Sequence, residues 1–252
     1  MSINPNHSYF HGNYQEIWKQ VIPEQLTDKE IGHLVDQYGL NTSTKGLDLM
    51  CGHGRHALAL AAKGIPVTAV DNLNSYIQQI EQAATSHSLP ITTFCQNLLE
   101  WNPVTKHDWA LCMGNSLNFF SPVELPVLLR KVADSLVPSG YFWINSWSIA
   151  EIVLPRTQKK ESHSSVIGPY RHTNHFELKH DPLRIEIQSI ITDELGGKEE
   201  KMAIDYLYTI EELRHYLAEA GLLLIKAESV PGKKLFSEGD PRVYVLSQKS
   251  DF

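Results

Sequence analysis

Short apolar segments alternate with amphipathic segments along the first 150 residues of the chain. Continuously apolar runs predict five strands, at residues 46–51, 66–71, 91–95, 109–113 and 141–147. Apolar residues at helical spacing predict helices between these strands, and one helix before them that begins at Thr27. Strands that are apolar on both faces and alternate with helices are typical of a parallel sheet covered on both sides. The pattern therefore predicts a doubly wound α/β fold.

The starts of three predicted helices carry capping boxes, in which a Ser or Thr is followed three residues later by Glu. These pairs are Thr27 with Glu30, Ser121 with Glu124, and Thr209 with Glu212.

The apolar pattern changes to a period of two between about residues 170 and 208. The pairs Asp181-Pro182 and Gly196-Gly197 mark turns between the alternating runs. This stretch predicts an antiparallel β insertion after strand five.

The helical pattern resumes at Thr209, and two closing strands at 222–229 and 242–248 are expected to form an antiparallel pair at the sheet edge. The chain is thus predicted to form a seven-stranded, Rossmann-like sheet with a β insertion. The predicted parts are an N-terminal helical lid (1–40), a core (41–150 and 209–252) and the β insertion (151–208).

Charge and hydropathy restrict the partners of the protein. The 252 residues carry a net charge of −7, whereas proteins that grip phosphate backbones usually have the opposite sign. No apolar run approaches the ~20 residues of a membrane span, and the first residues lack the pattern of a secretory signal. We therefore expect a cytoplasmic protein with neither a nucleic-acid nor a membrane partner.

The cysteines and histidines give no sign of a metal site. Cys51, Cys95 and Cys112 stand among apolar neighbours without metal-ligand spacing, and we expect all three to be buried free thiols. The histidines of the insertion also lack the spacing of ligands on one helix, so no metal is expected.

A glycine turn follows the first predicted strand, in the segment that runs from Asp48 to Gly54. Gly52 and Gly54 allow a tight turn and let a ligand approach the main chain without a Cβ between them. Asp71 ends the second strand, where a carboxylate can accept both hydroxyls of a ribose. These residues predict a cofactor at this sheet edge, although a glycine turn with a helix-capping aspartate gives the same pattern.

Two cofactor classes fit this turn. The spacing Gly52-x-Gly54-x-x-Ala57 matches the dinucleotide pattern, so an NAD(P)- or flavin-dependent oxidoreductase is one interpretation. Against it, Asp48 occupies a strand position where a dinucleotide site usually keeps an apolar residue. The β insertion and the closing strand pair also stand where a dehydrogenase usually carries a substrate domain.

The segment GLDLMCGHGRHALALAAKG, from Gly46 to Gly64, together with VTAVD at 67–71, resembles the first two motifs of class I S-adenosylmethionine-dependent methyltransferases. Met50 and His53 stand where that family more often has Gly and Ser or Thr. The resemblance implies a seven-stranded sheet and S-adenosylmethionine as the cofactor.

The resemblance also implies which residues contact the cofactor. Gly52 and Gly54 would lie beneath its amino-acid part, Asp71 would hold its ribose, and Asn72 would lie against the adenosine. Further cofactor contacts are predicted for Asp48, Arg55 and Met113.

The segment FCQNLLEW at 94–101 resembles the family's third motif, with one departure. Asn97 stands where an Asp usually accepts a hydrogen bond from the adenine amino group, and an amide oxygen accepts the same bond without charge. The backbone N–H of Leu98 would be the partner of the adenine ring. Asn97 capping a turn after the strand is an equally weighted alternative.

The segment from Gly114 to Phe120 follows strand four, where methyl donor and acceptor should meet. It lacks the Pro-Pro motif of enzymes that methylate amino groups in DNA, and its Gly-Asn-Ser form is similar to small-molecule methyltransferases. Asn115 and Ser116 are predicted to orient the acceptor, and a turn stabilised by its own Asn and Ser is the alternative.

The aromatic N-terminal residues Tyr9, Tyr14 and Trp18 resemble the family's lid over the cofactor, and an aromatic face can stabilise a cationic sulfonium. Tyr9 is a further candidate for catalysis, as a base.

The sequence therefore predicts a methyltransferase that moves a methyl group from S-adenosylmethionine to a nitrogen or oxygen of a small molecule. The alternatives are the oxidoreductase above and a non-catalytic methyltransferase-like binding protein. A homodimer that pairs through the β insertion is also predicted.

Overall fold

The computed structural model describes residues 4–156 and 160–251, and its strands form two sheets. The strands are β1 (Gly46–Leu49), β2 (Val67–Asp71), β3 (Ile91–Cys95), β4 (His107–Cys112), β5 (Leu136–Ser146), β6 (Lys160–Ile167), β7 (Tyr170–His180), β8 (Leu183–Asp193), β9 (Lys198–Tyr206), β10 (Leu222–Val230), β11 (Lys234–Leu235) and β12 (Val243–Lys249). The larger sheet has the order β11-β10-β12-β5-β4-β1-β2-β3, and the smaller has the order β6-β7-β8-β9.

Helices cover both faces of the larger sheet. They are α1 (Asn6–Tyr9), α2 (Tyr14–Val21), α3 (Glu24–Tyr38), α4 (Arg55–Ala61), α5 (Asn74–His87), α6 (Glu124–Ser135), α7 (Ala150–Val153) and α8 (Ile210–Glu219), with a 3-10 helix at Ser116–Phe119. Leu129 of α6 and Leu217 of α8 lie in the core of one face, and Ile31 of α3, Leu60 of α4 and Ile80 of α5 lie in the core of the other. The doubly wound fold predicted from the pattern is confirmed.

The closing strands differ in detail from the prediction. β10 and β12 are antiparallel, as expected, but β12 is an interior strand that also pairs with β5, so only β10 approaches the edge. The two-residue strand β11 pairs outside β10 and makes the sheet eight-stranded instead of seven-stranded. So short a strand leaves little trace in an apolar pattern.

Two of the three predicted capping boxes are confirmed. The Thr209 hydroxyl accepts from the Glu212 amide, and the Glu212 carboxylate accepts from the Thr209 amide. Ser121 and Glu124 make the same reciprocal bonds before α6.

The capping box at Thr27 is wrong. Helix α3 begins at Glu24 after Pro23, so Thr27 and Glu30 lie inside the helix and are buried. Their side chains turn towards α4, where both accept hydrogen bonds from Arg55. A capping pair and a buried polar pair have the same spacing in sequence, and only the tertiary fold separates them.

The β insertion is an antiparallel sheet, as predicted, with Asp181-Pro182 between β7 and β8 and Gly196-Gly197 between β8 and β9. It also contains β6, which precedes the period-two stretch and pairs with β7 along its length.

The first two helices pack on the insertion sheet. Tyr9, Tyr14 and Ile17 share a buried cluster with Ile191 and Ala203 of β8 and β9. Helix α3 instead packs on the larger sheet with α4 and α5. Within residues 1–40, therefore, α1 and α2 lie with the insertion while α3 belongs to the core layer.

The cysteine prediction was partly wrong. Cys51 and Cys112 are buried free thiols, but Cys95, the last residue of β3, is exposed because it ends the edge strand of the sheet. Within the described residues, no helix combines the length and the apolar character that a membrane crossing requires.

Candidate functional site

A cleft of about 1030 Å³, its open mouth included, lies at the carboxyl ends of the parallel strands. Its walls come from the segments that follow β1, β2, β3 and β4, and from the N-terminal helices. Ligand sites of open α/β sheets occur at this edge. A cleft of this volume can hold a ligand of the size of a nucleotide.

Ten of the fourteen site residues predicted from sequence line this cleft: Trp18, Asp48, Gly52, Arg55, Asp71, Asn72, Asn97, Leu98, Met113 and Ser116. The other four, Tyr9, Tyr14, Gly54 and Asn115, are outside its lining.

The two glycines of the turn have different surroundings. Gly52 has a φ of +55°, and a Cβ added to it would have no atom within 4 Å, so the open cleft lies against its Cα. Gly54 has a φ of +84°, and a Cβ there would lie 2.7 Å from Cγ1 of Ile80. Gly54 therefore lets α4 begin close to α5, and its predicted place beneath a ligand stays a prediction.

Asp71 fixes the glycine turn to the end of β2. Its Oδ2 accepts from the Gly52 amide at 2.9 Å, and its Oδ1 accepts from the Leu73 amide at 2.9 Å. Burial raises the pKa of this carboxyl, and the amide bonds oppose the rise. Each oxygen keeps a further lone pair for a ligand hydroxyl.

Asp48 is a buried carboxyl at the floor of the cleft, 2 % exposed. Its Oδ2 accepts from the amide of Ala57 in α4 at 3.1 Å. Burial raises its pKa to about 7, although the charge of Arg55 acts in the opposite direction. A carboxyl whose pKa is raised this far by burial in a cleft is typical of a binding site.

Arg55 joins the cleft to a buried polar cluster. It donates to Glu30 Oε2 at 2.7 Å, and the same oxygen lies 2.9 Å from His56 Nε2. The Tyr244 hydroxyl donates to Glu30 Oε1 at 2.7 Å. Burial alone would raise the pKa of Glu30, but the hydrogen bond from His56 and the charges of His56 and Arg55 lower it to about 2. The cluster thus links α3, α4 and β12 behind the glycine turn.

Two buried polar atoms of the lining have no hydrogen-bond partner among the described residues: His53 Nδ1 and the Tyr76 hydroxyl oxygen. The two rings are 6.2 Å apart. Burial lowers the pKa of His53 to about 4 and raises the pKa of Tyr76, so both groups are neutral at pH 7. Because buried polar groups are normally paired, these atoms are available to hydrogen-bond with a polar ligand or with water in the cleft.

Asn97 stabilises the turn after β3, as the alternative interpretation held. Its Oδ1 accepts from the Leu99 amide at 3.0 Å, and its carbonyl accepts from the Trp101 amide at 2.8 Å. The residue also lines the cleft beside the buried Leu98. Contact of either residue with adenine stays a prediction.

Asn115 is a structural hub outside the lining, which argues against its predicted role in orienting an acceptor. Its Oδ1 accepts from the Ser146 hydroxyl and from the Trp147 and Ser148 amides, each at 3.0 Å. Its Nδ2 donates to the Ser148 hydroxyl at 3.0 Å and to Asp205 at 2.9 Å. With both donors and the oxygen in use, Asn115 has no group left for a substrate.

Ser116 does line the cleft, but its hydroxyl donates to the Met113 carbonyl at 2.8 Å and so stabilises the turn after β4. The predicted contact of Ser116 with the acceptor stays a prediction.

Of the three N-terminal aromatic residues predicted from sequence, Tyr9, Tyr14 and Trp18, only Trp18 lines the cleft. A Cβ at Gly114 would lie 3.6 Å from Cζ2 of Trp18, so the indole crosses the carboxyl end of β4. The Tyr9 hydroxyl is 2.6 Å from Ser189 Oγ in the insertion, and burial raises the pKa of Tyr9. A buried, protonated phenol outside the lining does not fit the predicted base.

Sequence reasoning missed several lining residues, including Asn4, Asn6, Phe10, His53, Tyr76 and Phe119. Tyr76 falls on the apolar face of α5, where it cannot be told from a core residue. The lid residues Asn4 and Asn6 donate to the Phe119 carbonyl, each at 3.3 Å, and this contact spans more than a hundred residues. Local sequence patterns carry no signal for such a contact. The described part of the chain contains no cluster of three or more His, Cys, Asp or Glu side chains arranged to hold a metal ion.

Comparison with known proteins finds methyltransferases among those similar to this chain. Residues 47–140 match the family model of the methyltransferase domain. A protein of Geobacillus sp. (strain WCH70) that is named as a methyltransferase is 23% identical over 221 residues, which are 84% of this chain and 87% of that protein.

Two solved structures share the fold over almost their whole length. The CcbJ methyltransferase from Streptomyces caelestis superposes with a TM-score of 0.82 at 15% identity, covering 97% of this chain and 99% of that chain. The amino pentose methyltransferase CalS10 from Micromonospora echinaspora, solved with S-adenosylmethionine bound, gives a TM-score of 0.69 at 14% identity over 95% of this chain and 98% of that chain.

Proposed function

We propose that this chain, whose residues 47–140 match the methyltransferase domain, is a class I S-adenosylmethionine-dependent methyltransferase that transfers the methyl group to a nitrogen or oxygen atom of a small molecule. The observation that carries the proposal is the cleft itself. At the carboxyl edge of the parallel sheet it brings together the glycine turn at Gly52, the carboxylate of Asp71, which can accept from ribose hydroxyls, and the unpartnered polar atoms of His53 and Tyr76. This assignment of the glycine turn replaces the dinucleotide interpretation.

The residues of the cleft fit the cofactor part by part. Asp71 presents a lone pair on each oxygen to the ribose hydroxyls, and Gly52 leaves room for a ligand against its Cα. His53 and Tyr76 offer the unpartnered Nδ1 and hydroxyl to polar groups of the bound molecule. Asn97 can donate through its amide nitrogen, and its Oδ1, which accepts one bond from the Leu99 amide, keeps a second lone pair for a ligand.

The bound cofactor supplies a methyl group that is already activated by its attachment to a positive sulfur. The chain therefore has to position an acceptor and to exclude water, and it needs no covalent nucleophile. Phe10, Trp18 and Phe119 form an aromatic wall over the cleft, with the ring of Phe10 5.7 Å from Trp18 and 5.5 Å from Phe119. Such rings also stabilise a cation placed against their faces.

A small acceptor is supported by the way the N-terminal residues cover the cleft. Asn6 exchanges two hydrogen bonds of 2.8 Å with the backbone of Ile204 at the edge of β9. The same side chain donates to the Phe119 carbonyl, so it ties the lid to both the insertion and the 3-10 helix. A cleft roofed in this way admits a compact molecule more readily than a polymer. CalS10, an amino pentose methyltransferase, has the same fold.

The proposal is tested by the fate of a labelled methyl group. The protein is incubated with methyl-tritiated S-adenosylmethionine and a cell extract separated by size into a small-molecule filtrate, a protein fraction and a nucleic-acid fraction. We expect label to move into the filtrate alone, and the Gly52→Ala variant to reduce the transfer. Label in a macromolecular fraction, or no transfer to any fraction, would contradict the proposed acceptor class.

A further inference from the structure

Two residues of the cleft lining carry buried polar atoms that have no hydrogen-bond partner among the described residues. Tyr76 comes from the first turn of α5 and is 2 % exposed, and its hydroxyl is unpaired. Nδ1 of His53, in the glycine turn after β1, is buried and unpaired as well. The two rings are 6.2 Å apart, so one ligand group can lie against both.

The folded chain alone gives no reason for the Tyr76 hydroxyl. A buried hydroxyl without a partner destabilises the folded state. Phe at position 76 would fill the same space without this cost. The hydroxyl therefore makes no visible contribution to the fold, and its residue's place in the lining points to a ligand.

The order of the strands places the two groups at one end of the cleft. In the larger sheet β2 lies between β1 and β3. Asp71 ends β2 and is the candidate for the ribose, so a bound nucleoside extends towards β3 on one side and towards β1 on the other. Leu98 and Leu99 follow β3 and line that side with apolar side chains, which suit a flat base. The polar end of the ligand is left to the β1 side, where His53 lies.

The charges on the β1 side match those of an amino acid group. After burial, the charges of Arg55 and Lys19 have the largest effects on the pKa of His53, and both lower it. Glu16 has the smallest effect and acts in the opposite direction. The potential at the imidazole is therefore positive, which favours an anion. Asp48 lines the same cleft and can accept from an ammonium group.

Both unpaired groups can act as neutral donors. Burial raises the pKa of Tyr76, and the pKa of His53 is about 4, so neither group is charged at pH 7. The phenol donates one hydrogen bond, and the imidazole donates from Nδ1 in the tautomer that carries its proton there. Hydrogen bonds to an ionised acceptor are about twice as strong as those between neutral groups. A carboxylate is thus the ligand group that both donors suit.

Helix α2 covers this end of the cleft. Nε2 of Gln15 donates to the Ser75 hydroxyl at 2.7 Å, which joins α2 to the first turn of α5 beside Tyr76. Trp18, one turn further along α2, lines the cleft. Shielding from water strengthens hydrogen bonds between the chain and a charged group.

We propose that the Tyr76 hydroxyl and Nδ1 of His53 donate hydrogen bonds to the α-carboxylate of S-adenosylmethionine, and so select ligands that carry this group. The inference rests on the proposed function and assigns two side chains of the chain to one part of the cofactor. They hold the amino acid part in place, while Asp71 holds the ribose.

Two ligands that differ only in this carboxylate test the inference: S-adenosylhomocysteine and decarboxylated S-adenosylhomocysteine, which keeps the amino group. Both are titrated calorimetrically into the wild type and Tyr76→Phe. Tyr216→Phe is the matched control, because Tyr216 is a half-buried residue of α8 outside the cleft lining.

We expect the wild type and Tyr216→Phe to bind S-adenosylhomocysteine more tightly than the decarboxylated ligand. Tyr76→Phe should bind S-adenosylhomocysteine about tenfold more weakly than the wild type does, since a hydrogen bond to a charged group is lost. Its affinity for the decarboxylated ligand should match that of the wild type.

A pair of variants tests His53. In His53→Asn the side-chain amide can place a donor close to the position of Nδ1, whereas His53→Leu has no donor there. We expect His53→Leu to lose the preference for the carboxylate as Tyr76→Phe does, and His53→Asn to recover most of it.

Urea denaturation without ligand separates binding from folding. Because the Tyr76 hydroxyl has no partner, Tyr76→Phe should unfold at the same urea concentration as the wild type or at a higher one. A lower midpoint would assign the hydroxyl to the fold and overturn the inference.

The two proposals fail in different ways in these titrations. If S-adenosylhomocysteine does not bind to the folded wild type, the proposed function is wrong and the inference falls with it. If it binds, but the decarboxylated ligand binds as tightly or Tyr76→Phe keeps the wild-type preference, the proposed function stands and the assignment of the carboxylate is overturned.

Discussion

Gly52 is the residue on which the proposed cofactor site depends most directly. Its left-handed φ of +55° allows the turn after β1, and the space beside its Cα belongs to the cleft. Gly39 at the end of α3 has a similar φ of +64° and equally open surroundings, but it is away from the cleft. The two glycines therefore separate the effect of backbone strain from that of filling the site.

We expect Gly52→Ala to weaken the binding of S-adenosylhomocysteine at least tenfold, because the new methyl group enters the space of the ligand. Gly39→Ala should cost a similar ~1 kcal/mol of unfolding free energy, since both place a Cβ at positive φ. Calorimetric titration and urea denaturation of both variants check this. Equal loss of affinity in the two variants would show that strain, and not the cleft, is responsible.

Single residues also show where sequence reasoning reaches its limit. Asp71 and Gly52 were placed at the cleft because the end of a strand and a glycine turn have a fixed geometry in this fold. Asn115 was placed at the same edge, but its rotamer turns the amide away from the cleft to Ser148 and Asp205. The partner Asp205 lies 90 residues along the chain, and no local pattern predicts that it comes close.

At the scale of secondary-structure elements, the Glu30 cluster holds α3, α4 and β12 together. Glu30→Gln removes the charge that pairs with Arg55, while the shape of the side chain is kept. Removing one partner of a buried ion pair leaves the other uncompensated, and we expect a loss of about 3 kcal/mol of unfolding free energy at pH 7. Glu24→Gln, at an exposed position of the same helix, should change it by less than about 0.5 kcal/mol.

The variant Glu30→Gln also predicts how the free energy of unfolding changes with pH. The pKa of Glu30 in the folded protein is about 2, below its ordinary value of 4.5. Its contribution to stability is therefore complete above pH 4.5 and is lost as the pH falls towards 2. Urea denaturation at several pH values should show the difference between wild type and Glu30→Gln shrinking below pH 4.5. A difference that stays constant down to pH 3 would argue against an ionised Glu30.

Most helices and strands could be predicted from the sequence, because the spacing of apolar residues shows which face of each element is buried. The five parallel strands, the insertion hairpins and the cap at Thr209 each follow from local residues. Helix α3 was mispredicted because Thr27 and Glu30 have capping spacing but serve a buried contact with Arg55. The placement of α1 and α2 on the insertion depends on contacts such as Asn6 with Ile204, which only the folded chain brings together.

The whole molecule has two sheets, and the cleft lies at the carboxyl edge of the larger one. The larger sheet supplies the cleft with the loops that follow its parallel strands, and α1 and α2, which pack on the insertion sheet, supply further lining residues. Whether the insertion also pairs two chains stays a proposal; its outward face carries mixed charges such as Glu177, Lys179 and Glu200.

The central claim is that this cleft binds S-adenosylmethionine and not a dinucleotide. Isothermal titration of the wild-type protein with S-adenosylhomocysteine, and separately with NADH, tests it most directly. We expect one S-adenosylhomocysteine bound per chain and no heat of binding from NADH. Binding of NADH, or no binding of S-adenosylhomocysteine by a folded sample, would contradict the account.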